Sequence, residues 1–343
     1  MGDGAAVRFC TGVTPRDLDD YRRWLVEAEA VGFDMLTTGD SQSLWAECFS
    51  VMALAATTTS RPDLAVTVVN PRTRHAAVAA SAAATVQQLS GGRFRLACSS
   101  GDSALRNLGV PPARVSDVEA YAVAVHEATA GRVATWNGEQ FSLDWLADPV
   151  PVPVWIAAEG PRMQQMAGRV AQGVVLANCL TEERYACALD NLGRGAAEAG
   201  RSVDDVERWH MVNLVFARTE DEGIDSIASE IAGSANHSFR FTLQGKALPE
   251  ELGPRVQGLM SEYQSRFHAQ PGAANPNRGL LDKYGLRSYL ARLGTIAGPP
   301  ERCVERLREV VAMGARNLIL SQFVDDSYAW MRTFGDEVLP AFR

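Results

Sequence analysis

The sequence predicts a (β/α)8 barrel, a closed ring of parallel strands in which each strand is followed by a helix. Eight short apolar runs alternate with helical patterns along the chain. Residues 154–176, VWIAAEGPRMQQMAGRVAQGVVL, read as strand, glycine turn, helix and strand, which is one parallel crossover unit. The chain has 343 residues, more than the roughly 250 of a minimal barrel, so it also carries insertions. Eight strand–helix pairs favour a barrel over an open sheet.

The first half of the chain is predicted to contribute four strands and four helices. Thr14 is expected to cap the first helix, with Pro15 at its first position and Gly32 at its end. Ser116 and Glu119 have the spacing of a capping box. The predicted strands cover residues 7–10, 35–38, 64–69 and 94–98, and the predicted helices cover residues 15–31, 45–57, 76–88 and 116–130.

The second half is predicted to continue the alternation after a hairpin over residues 135–143. Asn137 and Gly138 form a favourable two-residue hairpin turn at its centre. The predicted strands begin at residue 154 and cover 173–176, 210–217 and 317–320. The predicted helices begin at residue 161 and cover 182–199, 220–232, 300–313 and 327–338.

We expect residues 1–343 to form a single TIM-barrel domain with insertions at about 99–112, 133–150 and 233–293. The last insertion contains the less regular stretch HAQPGAANPNRGLL. Two interpretations of it stay open: a lid that shapes a substrate site, or a disordered excursion.

Composition excludes several classes of function. The net charge is −8 and no basic stripe is present, so a nucleic-acid partner is not expected. No apolar run is long enough for a bilayer and the N-terminus does not resemble a signal peptide, so we expect a cytoplasmic protein that does not contact membranes. The five histidines have no metal-site spacing, and no metal is expected. The six scattered cysteines are expected to be reduced thiols.

Polar and small residues follow the predicted strands, where the active site of a barrel lies. Asp40 and Trp45 follow strand two, Asn70 follows strand three and Asp102 follows strand four. Two carboxylates therefore face one mouth, although an acidic residue in such a loop is commonly a helix cap.

The turn after strand five favours an anionic ligand. Pro161 suits the first helical position, and Gly160 before it allows a ligand to approach the backbone closely. The free amides of the helix N-terminus are a natural seat for a phosphate. The alternative is an ordinary βα turn.

Four segments resemble the luciferase-like (bacterial luciferase) superfamily of barrel oxidoreductases. The similarity is greatest to the branch that uses the deazaflavin coenzyme F420, which includes methylenetetrahydromethanopterin reductases. The segments are VTVVNPRTRHAAVAASAAATVQQLSGGRF, SSGDSALRNLG, IAAEGPRMQQMAGRVAQGVVL and IAGPPERCVERLREVVAMGARNLIL. The resemblance implies coenzyme F420 as cofactor, with FMN as the alternative, a small-molecule substrate and a homodimer.

The resemblance also implies roles for individual residues. Asp40 would lie beside the deazaflavin ring, Trp45 would be an active-site tryptophan, and Asp102 would act as acid and base. Thr67 and Val68 fall where the family often has a non-prolyl cis peptide. The implied cofactor-binding residues are Asp40, Thr67, Val68, Asn70, Ser100, Gly101, Asp102, Ala157, Ala158, Glu159, Gly160, Pro161 and Arg162.

Two departures from the family favour a reductase. Relatives that oxidise alcohols carry a histidine after the strand-two aspartate, whereas this chain has Ser41. Only Lys246 and Lys283 are lysines, and neither is placed by the sequence where a sugar phosphate would need it.

The main hypothesis is therefore an F420-dependent oxidoreductase, in which a hydride passes between the deazaflavin C5 and an electrophilic carbon or imine of a small substrate. Asp102 is expected to exchange the proton, with its pKa raised by burial. The alternatives are an FMN-dependent monooxygenase that uses reduced flavin and O2, and a cofactor-binding protein without catalytic activity.

Overall fold

A computed structural model describes residues 6–268 and 274–343 of the chain. The strands among the described residues are β1 Arg8–Gly12, β2 Met35–Thr38, β3 Asp63–Val69, β4 Phe94–Cys98, β5 Ala134–Trp136, β6 Glu139–Phe141, β7 Val154–Ala157, β8 Gly173–Leu176, β9 Glu207–Phe216, β10 Thr295–Gly298 and β11 Asn317–Ser321.

Helices surround these strands. They are α1 Leu18–Val31, α2 Cys48–Thr58, α3 Ala76–Leu89, α4 Ser103–Arg106, α5 Val115–Thr129, α6 Pro161–Val170, α7 Glu182–Glu198, α8 Glu220–Ser226, α9 Ala228–Phe239, α10 Gly253–Glu262, α11 Leu280–Lys283, α12 Arg287–Gly294, α13 Pro300–Ala312 and α14 Ser327–Thr333. No helix among the described residues is long and apolar enough to cross a membrane.

Eight parallel strands close into a barrel in the order β1-β2-β3-β4-β7-β8-β9-β11, and β11 pairs with β1 to complete the ring. The predicted (β/α)8 barrel is confirmed, and its eight strands are the eight apolar runs of the sequence. β10, which the sequence analysis missed, pairs with the last residues of β9. No element was predicted for its residues, because four residues carry too little periodicity to identify a strand.

Side chains fill the barrel interior. Trp155 and Trp209 stack with ring centroids 5.9 Å apart, and both are buried. Gly173 lies against them, since a Cβ atom at this position would come within 2.5 Å of the Trp155 ring. The barrel is thus a packed core, and a ligand can be held only at its rim. The remaining buried members of this cluster are Cys10, Met35, Ala65, Ala97, Val175 and Ile319.

Several predicted helix boundaries are corrected by the capping groups. α1 begins at Leu18 and not after Thr14, because the Asp17 carboxylate accepts hydrogen bonds from the backbone of Asp19 and Asp20. Gly32 ends it in the left-handed conformation, as predicted.

The predicted start of α5 is also wrong. The N-cap residue of α5 is Arg114 and not Ser116. The Asp117 carboxylate accepts a hydrogen bond from the backbone N–H of Arg114 at 3.3 Å. α2 begins at Cys48, so Trp45 lies in the preceding turn. The predicted helix over 220–232 is divided at Ile227 into α8 and α9.

The insertions are structured where they are described. Asn137 and Gly138 have positive φ angles of 52° and 87° and join β5 to β6, which confirms the hairpin. In the third insertion, α9, α10, α11 and α12 pack around a separate apolar cluster against β9 and β10. The described part of this insertion is therefore ordered and packed on the barrel. Residues 269–273 of the irregular stretch lie outside the described residues.

Candidate active site

The loops at the carboxyl ends of the strands meet at one mouth. The hydroxyls of Thr37 and Thr67 are 2.8 Å apart, which links β2 to β3. The Ser103 hydroxyl donates to that of Ser41 at 3.1 Å, which links the loops after β4 and β2. Ser99 donates to the carbonyl of Ala157 at 3.0 Å, so the loop after β4 also touches the end of β7. The residues predicted at this rim are therefore neighbours in space.

Asp40 is buried in an ion pair. Arg74 contacts one carboxylate oxygen closely and donates to the other at 3.1 Å, and only 2% of the Asp40 side chain is exposed. Arg74 also donates to Glu47 at 2.8 Å. Arg74 contacts both carboxylate oxygens of Asp40, so its positive charge balances the buried negative charge. Direct contact between Asp40 and a ligand stays a prediction.

Trp45 is held against the same loop. Its indole N–H donates to the carbonyl of Gly39 at 3.0 Å, and a Cβ atom at Gly39 would lie 3.3 Å from the Trp45 ring. The indole is half-buried. This contact holds the indole against Gly39, the residue before Asp40. A role of Trp45 in substrate binding stays a prediction.

The Thr67–Val68 peptide bond is cis, as the resemblance implied. Asn70, two residues further, is buried, and its side-chain oxygen accepts the backbone N–H groups of Arg72 and Thr73 at 3.0 Å. Asn70 therefore shapes the turn after β3 with its oxygen already occupied.

Asp102 lies at the centre of a cationic cluster. His237 contacts its Oδ2 atom through Nε2, Arg240 donates to Oδ1 at 3.1 Å, and Arg106 lies 3.6 Å from Oδ2. Gly101 before it has φ +88° and packs against Leu105, so the loop needs glycine there.

The expected raised pKa of Asp102 is not found. Burial alone would raise it, but the hydrogen bond from His237 and the charges of His237, Arg240 and Arg106 together hold the pKa of Asp102 well below the usual carboxyl range. Asp102 is therefore an ionised carboxylate at neutral pH. The expectation of a raised pKa is therefore wrong, while the acid–base role of Asp102 stays a prediction.

His237 and His268 are the residues that sequence reasoning missed. His268 Nε2 lies 3.5 Å from Asp102 Oδ2, and its Nδ1 is 2.6 Å from the Tyr263 hydroxyl. Burial lowers the pKa of His268 to about 4, so the ring is neutral at pH 7. These residues belong to the third insertion, more than 130 positions from Asp102 in the chain. The sequence analysis predicted no helix over His237 and Arg240, so their spacing of three residues, which puts them on one side of a helix, was not used.

The same atoms form a candidate cation site. One atom each from Asp102, His237 and His268 lies within 4.8 Å of the others. The two guanidinium groups beside Asp102 oppose such an ion: at an effective dielectric of about 20, one unit charge ~5 Å from a divalent cation costs roughly 6–7 kcal/mol. The charge balance therefore favours a hydrogen-bonded network of protein groups.

The N-terminus of α6 is open. Gly160 is its N-cap residue and supplies no side-chain cap, and within the described ranges no atom outside its two chain neighbours lies within 4 Å of a Cβ placed there. Pro161 occupies the first turn, and Arg162 beside it is exposed. The first amides of the helix have no intrahelical partner, so this end can receive an anion.

The strand end that leads to α6 is tied to its neighbours. The backbone N–H of Ala158 donates to Val175 at 3.0 Å, and Glu159 accepts a hydrogen bond from the Asn178 amide at 3.2 Å. Ser100, in the loop after β4, accepts the backbone N–H of Ala113 at 2.8 Å. These bonds place the predicted phosphate turn and the predicted ring loop on one rim.

A second cationic pair lies behind this turn. Lys246 and Arg184 are buried, and Arg184 donates to the carbonyl of Lys246. Burial lowers the pKa of Lys246 to about 8, and the charge of Arg184 acts in the same direction. Lys246 and Glu159 line one small cavity. The sequence analysis found no lysine for an anionic group, because the insertion alone brings Lys246 to this position.

Known proteins match the chain over most of its length. The profile of the luciferase-like monooxygenase family matches residues 5–317. A 5,10-methylenetetrahydromethanopterin reductase of Methanopyrus kandleri is 25% identical, over 99% of each chain. An F420-dependent glucose-6-phosphate dehydrogenase of Beutenbergia cavernae is 27% identical, over 96% of this chain and 94% of its own.

The fold has counterparts among solved structures. The F420-dependent tetrahydromethanopterin reductase from Methanopyrus kandleri superposes with a TM-score of 0.74 and 22% identity, over 99% of this chain and 100% of its own. The similarity covers the barrel together with its insertions.

Proposed function

The chain belongs to the luciferase-like monooxygenase family, and within that family we propose that it is an F420-dependent oxidoreductase that reduces a small organic substrate. Two relatives that match it over nearly the whole chain are named as an F420-dependent dehydrogenase and a methylenetetrahydromethanopterin reductase. The observation that carries the proposal is the uncapped N-terminus of α6 at Gly160, on the same rim as the Thr67–Val68 peptide.

The residues present fit a phosphate-bearing cofactor with a flat ring. Among the described residues, no atom outside the chain neighbours of Gly160 lies within 4 Å of a Cβ placed there, which agrees with room for a phosphate near the helix amides. The turn of residues 157–162 would hold that phosphate, while the loops with Thr67 and Gly101 would flank the ring. When bound, coenzyme F420 supplies a hydride donor or acceptor at C5.

Reduction is the direction that the residues favour. Ser41 occupies the place where alcohol-oxidising relatives carry a histidine, so the usual base for a hydroxyl group is missing from that loop. The ionised Asp102 and its cationic neighbours lie at the mouth instead. A substrate whose heteroatom gains a proton as its carbon is reduced suits this arrangement.

The proposal is tested by titrating the purified full chain with F420 and with FMN, following cofactor fluorescence. We expect F420 to bind at least tenfold more tightly than FMN. Gly160→Val should weaken F420 binding at least tenfold without changing the urea midpoint, because no protein atom is near the new side chain. Gly193→Val is the matched control, since Gly193 on α7 also has no atom within 4 Å of its Cβ.

The same assay separates the alternatives. Tighter binding of FMN, with O2 consumption by the reduced flavin, would identify a monooxygenase in place of the F420 enzyme. Tight F420 binding without oxidation of reduced F420 by any member of a carbonyl and imine panel would indicate a binding protein.

We also propose that the chain works as a cytoplasmic homodimer and that residues 1–343 form one barrel domain with the three insertions. Family resemblance supports the dimer, and the charge and the missing membrane helix among the described residues agree with the location. Light scattering of the purified protein measures the oligomeric state directly. Limited proteolysis that releases no separately folded fragment is expected for a single domain.

A further inference from the structure

His237 is an imidazole of the third insertion that contacts the loop after β4. It lies in the last turn of α9, and its Nε2 atom contacts the carboxylate of Asp102 in the loop after β4. Its side chain is 34% exposed, against 16% for His268. Within the described part of the chain, His237 Nδ1 has no hydrogen-bond partner. One ring nitrogen is thus anchored and the other is free.

We propose that His237 exchanges the substrate proton in the reaction and that Asp102 is the residue that positions it. This inference rests on the proposed function, which supplies the reaction but no proton donor. It transfers the acid–base role that the sequence assigned to Asp102 onto a residue of the insertion.

The two carboxylate oxygens of Asp102 have different partners. Oδ1 accepts from Arg240 at 3.1 Å, and Oδ2 faces His237. A carboxylate held in this way keeps its charge and orients the imidazole, fixing the tautomer in which Nε2 carries the proton. Nδ1 is then the atom that takes up a proton and gives it to a substrate.

His268 is unsuited to the same task. Its Nδ1 is already engaged with the Tyr263 hydroxyl at 2.6 Å, and its Nε2 faces Asp102 at 3.5 Å. The His237 and His268 rings have centroids 5.8 Å apart. His268 therefore supports the cluster from the side, while His237 keeps an unbound nitrogen.

The loop after β2 brings no imidazole to this part of the mouth. The loop after β2 carries Ser41, whose hydroxyl accepts a hydrogen bond from Ser103 and is buried. Ser103 immediately follows Asp102, so the Asp102 loop and the Ser41 loop are in direct contact. His237 thus brings an imidazole to the same part of the mouth from a different segment of the chain.

The proposed step transfers one hydride and one proton to the substrate. The carbon of a substrate C=N or C=O group gains a hydride from the reduced deazaflavin, and its nitrogen or oxygen gains the proton of the His237 imidazolium. The products are the amine or alcohol, the oxidised cofactor and neutral His237. Solvent then returns the proton to Nδ1.

Charged and titratable groups face His237 from each element around it. They are Asp102, Arg106 of α4, Arg240 beyond α9, and His268 with Tyr263 from the segment after α10. His237→Gln should remove the imidazole and leave these neighbouring groups in place.

The test compares His237→Gln and Asp102→Asn with the control His126→Gln in the full chain, since His126 lies on α5 and its ring contacts the carbonyl of Val152, before β7. We expect His237→Gln to lower kcat at least 100-fold with F420 affinity within threefold of wild type, in line with the loss of a general acid. Asp102→Asn should lower kcat about tenfold or more with little change in KM. His126→Gln should keep turnover within threefold of wild type.

A second measurement needs no cofactor. Nitrogen-15 NMR of histidine side chains should show neutral His237 protonated on Nε2 in the wild type, and a mixture of tautomers in Asp102→Asn. An Nδ1-protonated His237 in the wild type would overturn the proposal even if no substrate is known. Turnover of His237→Gln within threefold of wild type, or activity abolished by EDTA and restored by Zn²⁺, would also overturn it. If the wild-type protein does not bind F420, the proposed function is refuted instead.

Discussion

His210 makes the stability of this protein sensitive to acid. It lies on β9, it is fully buried, and neither ring nitrogen has a hydrogen-bond partner among the described residues. The edge of its ring meets Tyr185 at a centroid distance of 4.8 Å. Burial, helped by the charge of Arg208, lowers the pKa of His210 to about 3. Protonation of the ring therefore lowers the free energy of unfolding.

The size of the effect follows from proton linkage. The unfolded chain binds a proton at His210 near pH 6.5, whereas the folded site binds it only near pH 3. Between these values the unfolded state holds more protons, so stability is fully present above pH 6.5 and is lost as the pH falls toward 3. The loss is about 1.4 kcal/mol per pH unit, so His210 costs about 2 kcal/mol at pH 5.

His210→Leu should remove this dependence. We expect its free energy of unfolding to be within about 1 kcal/mol of wild type at pH 7.5, since the loss of the Tyr185 ring contact is offset by the removal of two unsatisfied polar atoms. At pH 5 it should exceed wild type by about 2 kcal/mol more than at pH 7.5. Urea denaturation followed by circular dichroism at both pH values measures the difference.

Tyr185→Leu is the matched control. It removes the same ring contact and keeps the titrating imidazole, so it should retain the wild-type loss of stability between pH 7.5 and pH 5. If His210→Leu and wild type lose the same stability over this range, His210 is not the acid-sensitive group. A pH dependence that disappears in Tyr185→Leu as well would point to the ring contact and not to the proton.

Two further substitutions test the mouth of the barrel. Arg74→Ala should cost about 3–5 kcal/mol of stability, because it leaves the buried Asp40 carboxylate unpaired. The double variant Arg74→Ala with Asp40→Asn should recover part of this stability. Equal urea midpoints for the single and the double variant would contradict this reasoning. Gly101→Ala should lower the free energy of unfolding by about 1–3 kcal/mol, because φ is +88° and the new methyl group would lie 2.5 Å from the Leu105 side chain. An unchanged melting temperature would show that the loop adapts to the methyl group without strain.

Local sequence patterns determined most of the barrel. Periodic apolar runs identified its eight strands, and Gly32 and the Asn137–Gly138 pair ended or turned the chain where predicted. These features depend on residues a few positions apart, which is the range over which helix and strand periodicity operate. The same rule placed Asp40 and Asp102 at one rim, because parallel strands bring their carboxyl ends together.

Short elements and helix starts were less predictable. The four residues of β10 are recognised only through their pairing with β9. The start of α1 depended on which of several polar residues turned its side chain toward the free amides, and Asp17 did so in place of Thr14. Side-chain orientation of this kind is settled by packing and not by residue type.

The chemistry of the mouth was decided by tertiary structure alone. The sequence contains Asp102, but the sign of its pKa shift is set by His237 and Arg240, which the fold carries in from more than 130 residues away. Burial and opposite charge move a carboxyl pKa in opposite directions, so the balance is unknown until the neighbours are known. The chain thus specified its barrel by local periodicity, whereas only the folded insertion determined which charged groups surround Asp102.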